Sequence, residues 1–376
     1  MSRSVFIWSG VTLFVLCLVG FAGWVFSLPA ATASAEVPMV PREETDAMLD
    51  MLSPGTGERP LVAVIGLNDA TETTDYLMPT GILRRADVAD VVMLATEPGA
   101  VQLYPALRVE PDATIAEFDA RHPGGADYVI VPAMSRDDDP VVLAWLMSQS
   151  EKGAVILGIC AGAKVVAAAG LLDGKRATTH WYYLNEMLER SPAIDYVADR
   201  RMVADGDVVT TTGISASMPM MLTLIEAIAG RAKAEEVARD LGIEAWDGRH
   251  DSAAFRFTRP FATEILANTL AFWNRDRWGI ALTRGIDEVS LALVADAWSR
   301  TYRSSAVTFA ASSDAVVTAN GVRIVPDSTV RPSEILSFPE QSPADVLDFT
   351  LGEIGERYGA RTADVVAMQL EYPRGP

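Results

Sequence analysis

From residue 61 onward, short apolar runs alternate with stretches of helical spacing. LVAVIGL (61–67), DVVMLAT (90–96), YVIVPAM (128–134) and AVILGIC (154–160) are each of strand length and almost unbroken in apolar character. A strand wetted on one face would alternate with polar residues; these runs predict strands covered on both faces, as in a parallel sheet. Between and after them come TDYLMPTGILRRA (74–86), DPVVLAWLMSQSEKG (139–153), AGAKVVAAAGLL (161–172) and MPMMLTLIEAIAG (218–230). They predict helices. Asp139 is an N-cap candidate, and Gly153 and Gly230 close their helices. Strands alternating with helices predict an α/β fold with a doubly wound parallel sheet. In such sheets, functional groups gather at the carboxyl ends of strands.

The pattern before residue 61 is different. Residues 4–28, SVFIWSGVTLFVLCLVGFAGWVFSL, carry no charge. Their length matches the ~20 apolar residues that cross a bilayer. Arg3 precedes the run and Glu36, Glu43 and Glu44 follow it. That bias puts the N-terminus in the cytoplasm and the rest outside. The expectation is a single-pass transmembrane anchor in the cell membrane with an extracytoplasmic globular part. The alternative is export after signal cleavage, because ATASA (31–35) offers small residues in an A-x-A arrangement. Residues 36–60 are rich in Pro, Gly and acids and read as a linker, with a short helical piece around 46–52.

Composition narrows the function. The 376 residues allow two domains, and 49% of them are hydrophobic, enough for a sizeable core. A net charge of −19 argues against a nucleic-acid partner, which needs a basic face. The two cysteines, Cys17 and Cys160, lie in different regions, so the globular part has no disulfide framework. With three scattered histidines they offer no tetrahedral metal set, and no organic cofactor is implied. The partner expected is a small-molecule substrate or ligand.

One constellation stands out. Gly158-Ile159-Cys160-Ala161-Gly162 ends a strand run and opens a helical one. This is the G-x-nucleophile-x-G elbow with cysteine as nucleophile. The turn demands small residues at 158 and 162, where side chains would strike sheet and helix. A helix N-terminus under the sulfur is expected to lower its pKa. His180, in KRATTHW, follows after a short extended piece and could hold or accept the thiol proton. His122, in ARHPGG, and Arg249-His250-Asp251 read as loop residues.

The stretch GICAGAKVVAAAGLLDGKRATTHW resembles the ThiJ/PfpI family, within the class I glutamine-amidotransferase-like superfamily. The resemblance spans about residues 61–241, with a domain expected at 61–244, and it implies a flavodoxin-like fold. LLDGKRATTHW is most similar to isonitrile hydratase and to the amidase-like sensor domains of AraC-type regulators. It implies a third catalytic residue, an acid in the helix after the first strand, four residues before a proline; here that is Asp75, before Pro79. It also implies backbone oxyanion donors at Ala161 and Met134. Two departures stand. The hydratase has Thr after its cysteine where this chain has Ala161, and the family's P-G-G is Pro132-Ala133-Met134 here. No DNA-binding domain follows.

Residues 277–376 read as a truncated, degenerate repeat of the same domain. Shifted by 215 positions without a gap, LRVEPDAT (107–114) falls on VRIVPDST (322–329) and VVMLAT on AVTFAA. Asp75 falls on Ser290, and the elbow and histidine have no counterpart. EEVARDL (235–241) is echoed by DVVAMQL (364–370). The remnant is expected to pack on the first domain as family dimer partners do, an intrachain pseudo-dimer; a homodimer is the other arrangement open. Three functions remain open. They are a cysteine-dependent hydrolase, amidase or hydratase-like enzyme, a non-catalytic small-molecule or redox sensor, and a scaffold with a fossil elbow.

Overall fold

The computed structural model describes residues 12, 16–17, 19–31, 37–54, 59–338 and 340–373. The apolar runs form strands β1 (Leu61–Gly66), β2 (Asp90–Ala95), β4 (Tyr128–Val131) and β5 (Val155–Gly158). With β3 (Ala113–Thr114), β6 (Met202–Asp205) and β7 (Val208–Thr211) they make one sheet, ordered β6-β7-β5-β4-β1-β2-β3. Every pairing is parallel except the edge hairpin β6–β7. That hairpin turns on Gly206, at φ +63°, and makes the sheet mixed where the sequence predicts an all-parallel one.

The helices that cover the sheet include α1 (Thr73–Ala86), α2 (Pro140–Glu151), α3 (Gly162–Ala168) and α4 (Ser217–Ala229). Side chains alternate along each strand. Val62 and Val64 enter one core with Leu77 and Ile82 of α1 and Met221 and Leu222 of α4. Ala63 and Ile65 enter the other with Leu146 of α2 and Val166 of α3. Asp139 caps α2 by accepting from the N–H groups of Val141 and Val142. Helix α3 ends at Ala168, short of its expected end, because Gly170 takes a left-handed turn at φ +76°.

Much of the stretch 4–28 read as an anchor lies outside the described residues. Among the described residues no helix is long and apolar enough to cross a membrane. Residues 19–27 are helical, and Trp24 and Phe26 are exposed. The expected linker at 36–60 is not free chain where it is described. A helix at Arg42–Leu52 buries Met48 and Leu52 in the first core, and Glu44 pairs with Arg176 and Arg200.

The C-terminal part contains α5 (Arg259–Leu270), β8 (Asp276–Ala281), α6 (Glu288–Ser299), β9 (Ser304–Phe309), β10 (Glu334–Ile335), α7 (Pro343–Tyr358) and α8 (Ala360–Gln369). Its parallel sheet is ordered β9-β8-β10. Under the shift that aligns the two halves of the sequence, β1 falls on β8 at both ends, and the start of α1 falls on the start of α6. The strand order β2-β1-β4 recurs as β9-β8-β10. The two parts meet through α1 against α6 and through an antiparallel pair in which Val109 lies opposite Ile324, its own counterpart under the same shift.

Candidate active site

The elbow forms as its residue types require. A Cβ on Gly162 would stand 1.9 Å from the Val131 carbonyl oxygen, so only glycine fits. One on Gly158 would press on Ala163 Cα at 3.0 Å. Between them Cys160 sits at φ +55°. A non-glycine residue there costs about 1–2 kcal/mol and persists only where neighbours dictate it. They do: Cys160 N–H donates to Thr211 Oγ1 at 3.0 Å, and Thr179 Oγ1–H donates to the Cys160 carbonyl at 3.0 Å. The sulfur therefore stands at the carboxyl edge of β5, 4% exposed, at the foot of a cleft.

Asp75 enters the site from the first turn of α1. Glu72 caps that helix, its carboxylate accepting the Asp75 N–H at 2.6 Å. The Asp75 carboxyl is completely buried. Its Oδ2 accepts from Ala133 N–H at 3.1 Å, and its Oδ1 has no partner. Burial, then the charge of Glu72, pushes its pKa well above the usual carboxylate range.

The cysteine differs from its expected state. Burial, then the charges of Asp75 and Glu72, raise the thiol pKa well above normal, and the Ala161 N–H pointing at the sulfur offsets only part of this. The seven-residue α3 does not prevail over desolvation and two carboxylates. Met134, the other expected donor, lies just beyond β4, bridges to Thr71 and lines the cleft with Ala161.

His180 also lines the cleft, but its ring is engaged elsewhere. Nδ1 accepts from Tyr182 N–H at 3.2 Å, so Nε2 carries the proton and donates to the Gln369 carbonyl at 2.9 Å. In this arrangement neither nitrogen can take a proton from the sulfur, and the expected role of base falls away. Burial lowers the pKa of His180 despite the nearby Glu371 carboxylate, which keeps the ring neutral.

Several site residues carried no local signal. Arg300, from the C-terminal part, reaches Glu72 at 2.7 Å and Asp296 at 2.7 Å and lines the cleft. Burial, then the Arg300 charge working against it, leaves the Asp296 pKa pushed up to about 7. The relation is reciprocal: Arg85 pairs with Asp287. Arg300 and Asp287 are the repeat counterparts of Arg85 and Glu72, so extending the repeat to charged positions would have found the pair. His250, expected in a polar loop, is instead buried. It bonds Glu371 at 2.9 Å and stacks on Phe255. Glu371 in turn accepts the Gly213 N–H beside His180. His122 packs against Phe118 with the rings tilted at 35°, at the end of the helix Ile115–Arg121 and not among the cleft residues. Among the described residues no group of His, Cys, Asp and Glu could hold a metal ion.

The cleft holds about 740 Å³, and its wall includes Trp181, Phe257, Phe261 and four tyrosines. Residues 62–227 match the DJ-1/PfpI family. Isonitrile hydratase of Pseudomonas putida is 40% identical over 119 residues, 32% of this chain and 49% of that protein, so the chain spans about half the length of that relative. The Parkinson disease protein 7 homolog of Danio rerio is 29% identical over 186 residues, 48% of this chain and 95% of that one. The HTH-type transcriptional regulator CdhR of Pseudomonas aeruginosa is 36% identical over 99 residues, 26% of this chain and 29% of the regulator. Residues 62–227 of this chain are a DJ-1/PfpI family domain.

Proposed function

We propose that the domain adds the Cys160 sulfur to a small electrophilic carbon, in an amidase, hydrolase or hydratase-like reaction. The observation that carries this is a strained sulfur beside a buried carboxyl with one unpaired oxygen. Two negative charges are costly in that space, so Asp75 and Cys160 share one proton over a wide pH range. The reactive form is the thiolate beside the neutral acid. With an amide, the C–S bond forms while the carbonyl π pair moves onto oxygen, which the N–H groups of Ala161 and Met134 hold. Collapse expels the amine with the Asp75 proton. Water then adds to the thioester, gives a proton to Asp75, and the thiolate departs with its electron pair. With an aldehyde the reaction stops at the adduct, and the Asp75 proton goes to the oxygen. His180 positions the wall of the site.

A second reading, a small-molecule or redox sensor, draws on the committed His180 ring, which leaves the cysteine without a histidine base for turnover. In the redox form, the thiolate attacks a peroxide, the O–O bond breaks, the sulfur becomes sulfenic acid and the other oxygen leaves as water or an alcohol. In both readings the N-terminal apolar segment tethers the chain to the cell membrane with the domain outside the cytoplasm. The C-terminal part acts as the second half of an intrachain pseudo-dimer.

The test is turnover of small amides, with covalent adduct formation by 2-oxoaldehydes read in parallel, by the full chain and by Cys160→Ala. The enzyme reading expects turnover that the variant loses by about 10³-fold or more. Ligand binding without turnover in the wild type would overturn that reading in favour of the sensor.

A further inference from the structure

The cleft has two cations in its wall, and both are already engaged. Arg300 is held by Glu72 and Asp296. Lys164 is held by Asp137 at 2.9 Å and Glu186 at 2.8 Å. A substrate carboxylate or phosphate at Arg300 would have to displace Glu72 or Asp296 and strand it in the interior. At Lys164 it would meet the negative charges of Asp137 and Glu186, which Arg190 also holds in place. The polar groups that remain near the sulfur are the unpaired Asp75 oxygen and backbone N–H groups. Part of the remaining wall is an apolar strip, Trp181, Phe257, Phe261 and Ile265, which runs beside the hydroxyls of Ser135 and four tyrosines. At about 740 Å³ the space suits a ligand of drug size, far beyond a three-carbon aldehyde.

The rim of the cleft continues into a second apolar surface. Phe261 and Ile265 of α5 face the cleft, while Leu266 and Leu270 of the same helix are exposed. Leu270 is 56% exposed, and Phe272 and Trp273, just past the helix, are 67% and 76% exposed. Single exposed apolar residues are ordinary; four in eight positions are not. The N-terminal apolar helix ends on this element. Arg259 N–H donates to the Pro29 carbonyl at 2.8 Å, and its guanidinium donates to the carbonyls of Phe26 and Leu28. Trp24 meets Phe257, a residue of the cleft wall, at 6.0 Å between ring centres. The described end of a charge-free stretch thus rests on the first turn of α5 at the rim of the site, and the far end of the same helix carries Leu, Phe and Trp suited to a lipid interface.

We infer that the Cys160 cleft takes a neutral electrophile with a long apolar tail, which it draws from the bilayer surface against which α5 and Phe272-Trp273 lie. The tail runs along Phe257, Phe261 and Ile265, and the electrophilic carbon reaches the sulfur. This rests on the proposed cysteine chemistry and tether and adds the substrate class and its route.

The experiment uses the full chain in phospholipid nanodiscs, with Cys17→Ser so that Cys160 is the sole thiol. Alkylation by N-ethylmaleimide and N-decylmaleimide is followed by mass spectrometry. The thiolate adds to the C=C carbon to form the C–S bond, and the resulting enolate takes its proton from water. The readout is the ratio of decyl to ethyl rates, which cancels any general loss of folding or thiol reactivity. Bilayer partitioning of the decyl reagent is common to all variants. Each methylene buried is worth about 0.8 kcal/mol, or about fourfold. The ratio is expected to fall fivefold or more in Phe257→Ser/Ile265→Ser, which spoils the tail's path. It is expected to fall as far in Leu270→Glu/Trp273→Glu, which spoils the bilayer contact. A smaller fall in the first variant overturns the substrate class, and a smaller fall in the second overturns the route. No reaction of Cys160 with either maleimide would instead sink the cysteine chemistry itself, a separate failure.

Discussion

Asp75 is central to the proposed chemistry, and its burial has a measurable consequence. Its pKa is raised in the folded state. The folded protein therefore keeps a proton that the unfolded chain releases above about pH 3.9. The sign follows: stability from this group is fully present below that pH and is lost as pH rises toward the folded value, by about 1.4 kcal/mol per pH unit. Asp75→Asn removes the slope while its side-chain oxygen still accepts the Ala133 N–H. The variant is expected to melt higher than wild type, with a gap that widens between pH 4 and 7.5 by about 2 °C per kcal/mol. Thermal melts of both proteins across that range check it. A constant gap would mean that Asp75 is ionised in the fold. Position 75 was legible as an acid from the family resemblance, but nothing local in TTDYLMP reveals that its carboxyl is sealed from water. Cys160 and the two elbow glycines were legible from spacing, because the constraint on them is local: a Cβ at 162 meets the backbone of the adjacent strand.

At the scale of elements, α1 and α6 carry two reciprocal ion pairs, Arg300–Glu72 and Arg85–Asp287. Arg300 is buried between Glu72 and Asp296, so Arg300→Met leaves two carboxylates without their cation. Breaking a buried pair in this way costs about 3–5 kcal/mol. Chemical denaturation is expected to show that loss. Adding Glu72→Gln and Asp296→Asn to the same chain is expected to recover most of it, because no stranded charge then remains. Failure of the triple variant to recover would mean that Arg300 acts by packing alone. The strands and helices around this contact were legible from apolar periodicity. Their pairing was not, since α1 ends at Ala86 and α6 begins only at Glu288, with every strand of the first sheet except β1 between them in the chain.

For the whole molecule, the C-terminal part both completes the site and covers the first domain. It supplies Arg300 to the cleft, the Gln369 carbonyl to His180, and Glu371 to Gly213 and His250. It also covers the face of α1 on which Gly81 lies against Glu288. A chain ending at residue 275 loses all of these and exposes an apolar helix face. It is expected to self-associate or fail to fold at micromolar concentration, as light scattering would show. A well-folded monomer would mean that the two parts are energetically independent.

Taken alone, the order of residues determined what depends on near neighbours. That includes the strands, from unbroken apolar runs, the helix caps at Asp139 and Gly153, and the glycine-flanked cysteine at a strand end. It also carries the residue echoes between the two parts on which the expected repeat at 277–376 rests. The tertiary structure decided everything set by distance through space: the direction of the Cys160 pKa, the tautomer of His180, the burial of His250, and the arrival of Arg300 and Glu371. Protonation follows desolvation and the charges within a few ångströms. Those charges come from chain segments up to 228 positions away, a separation that only the packed sheets and helices close.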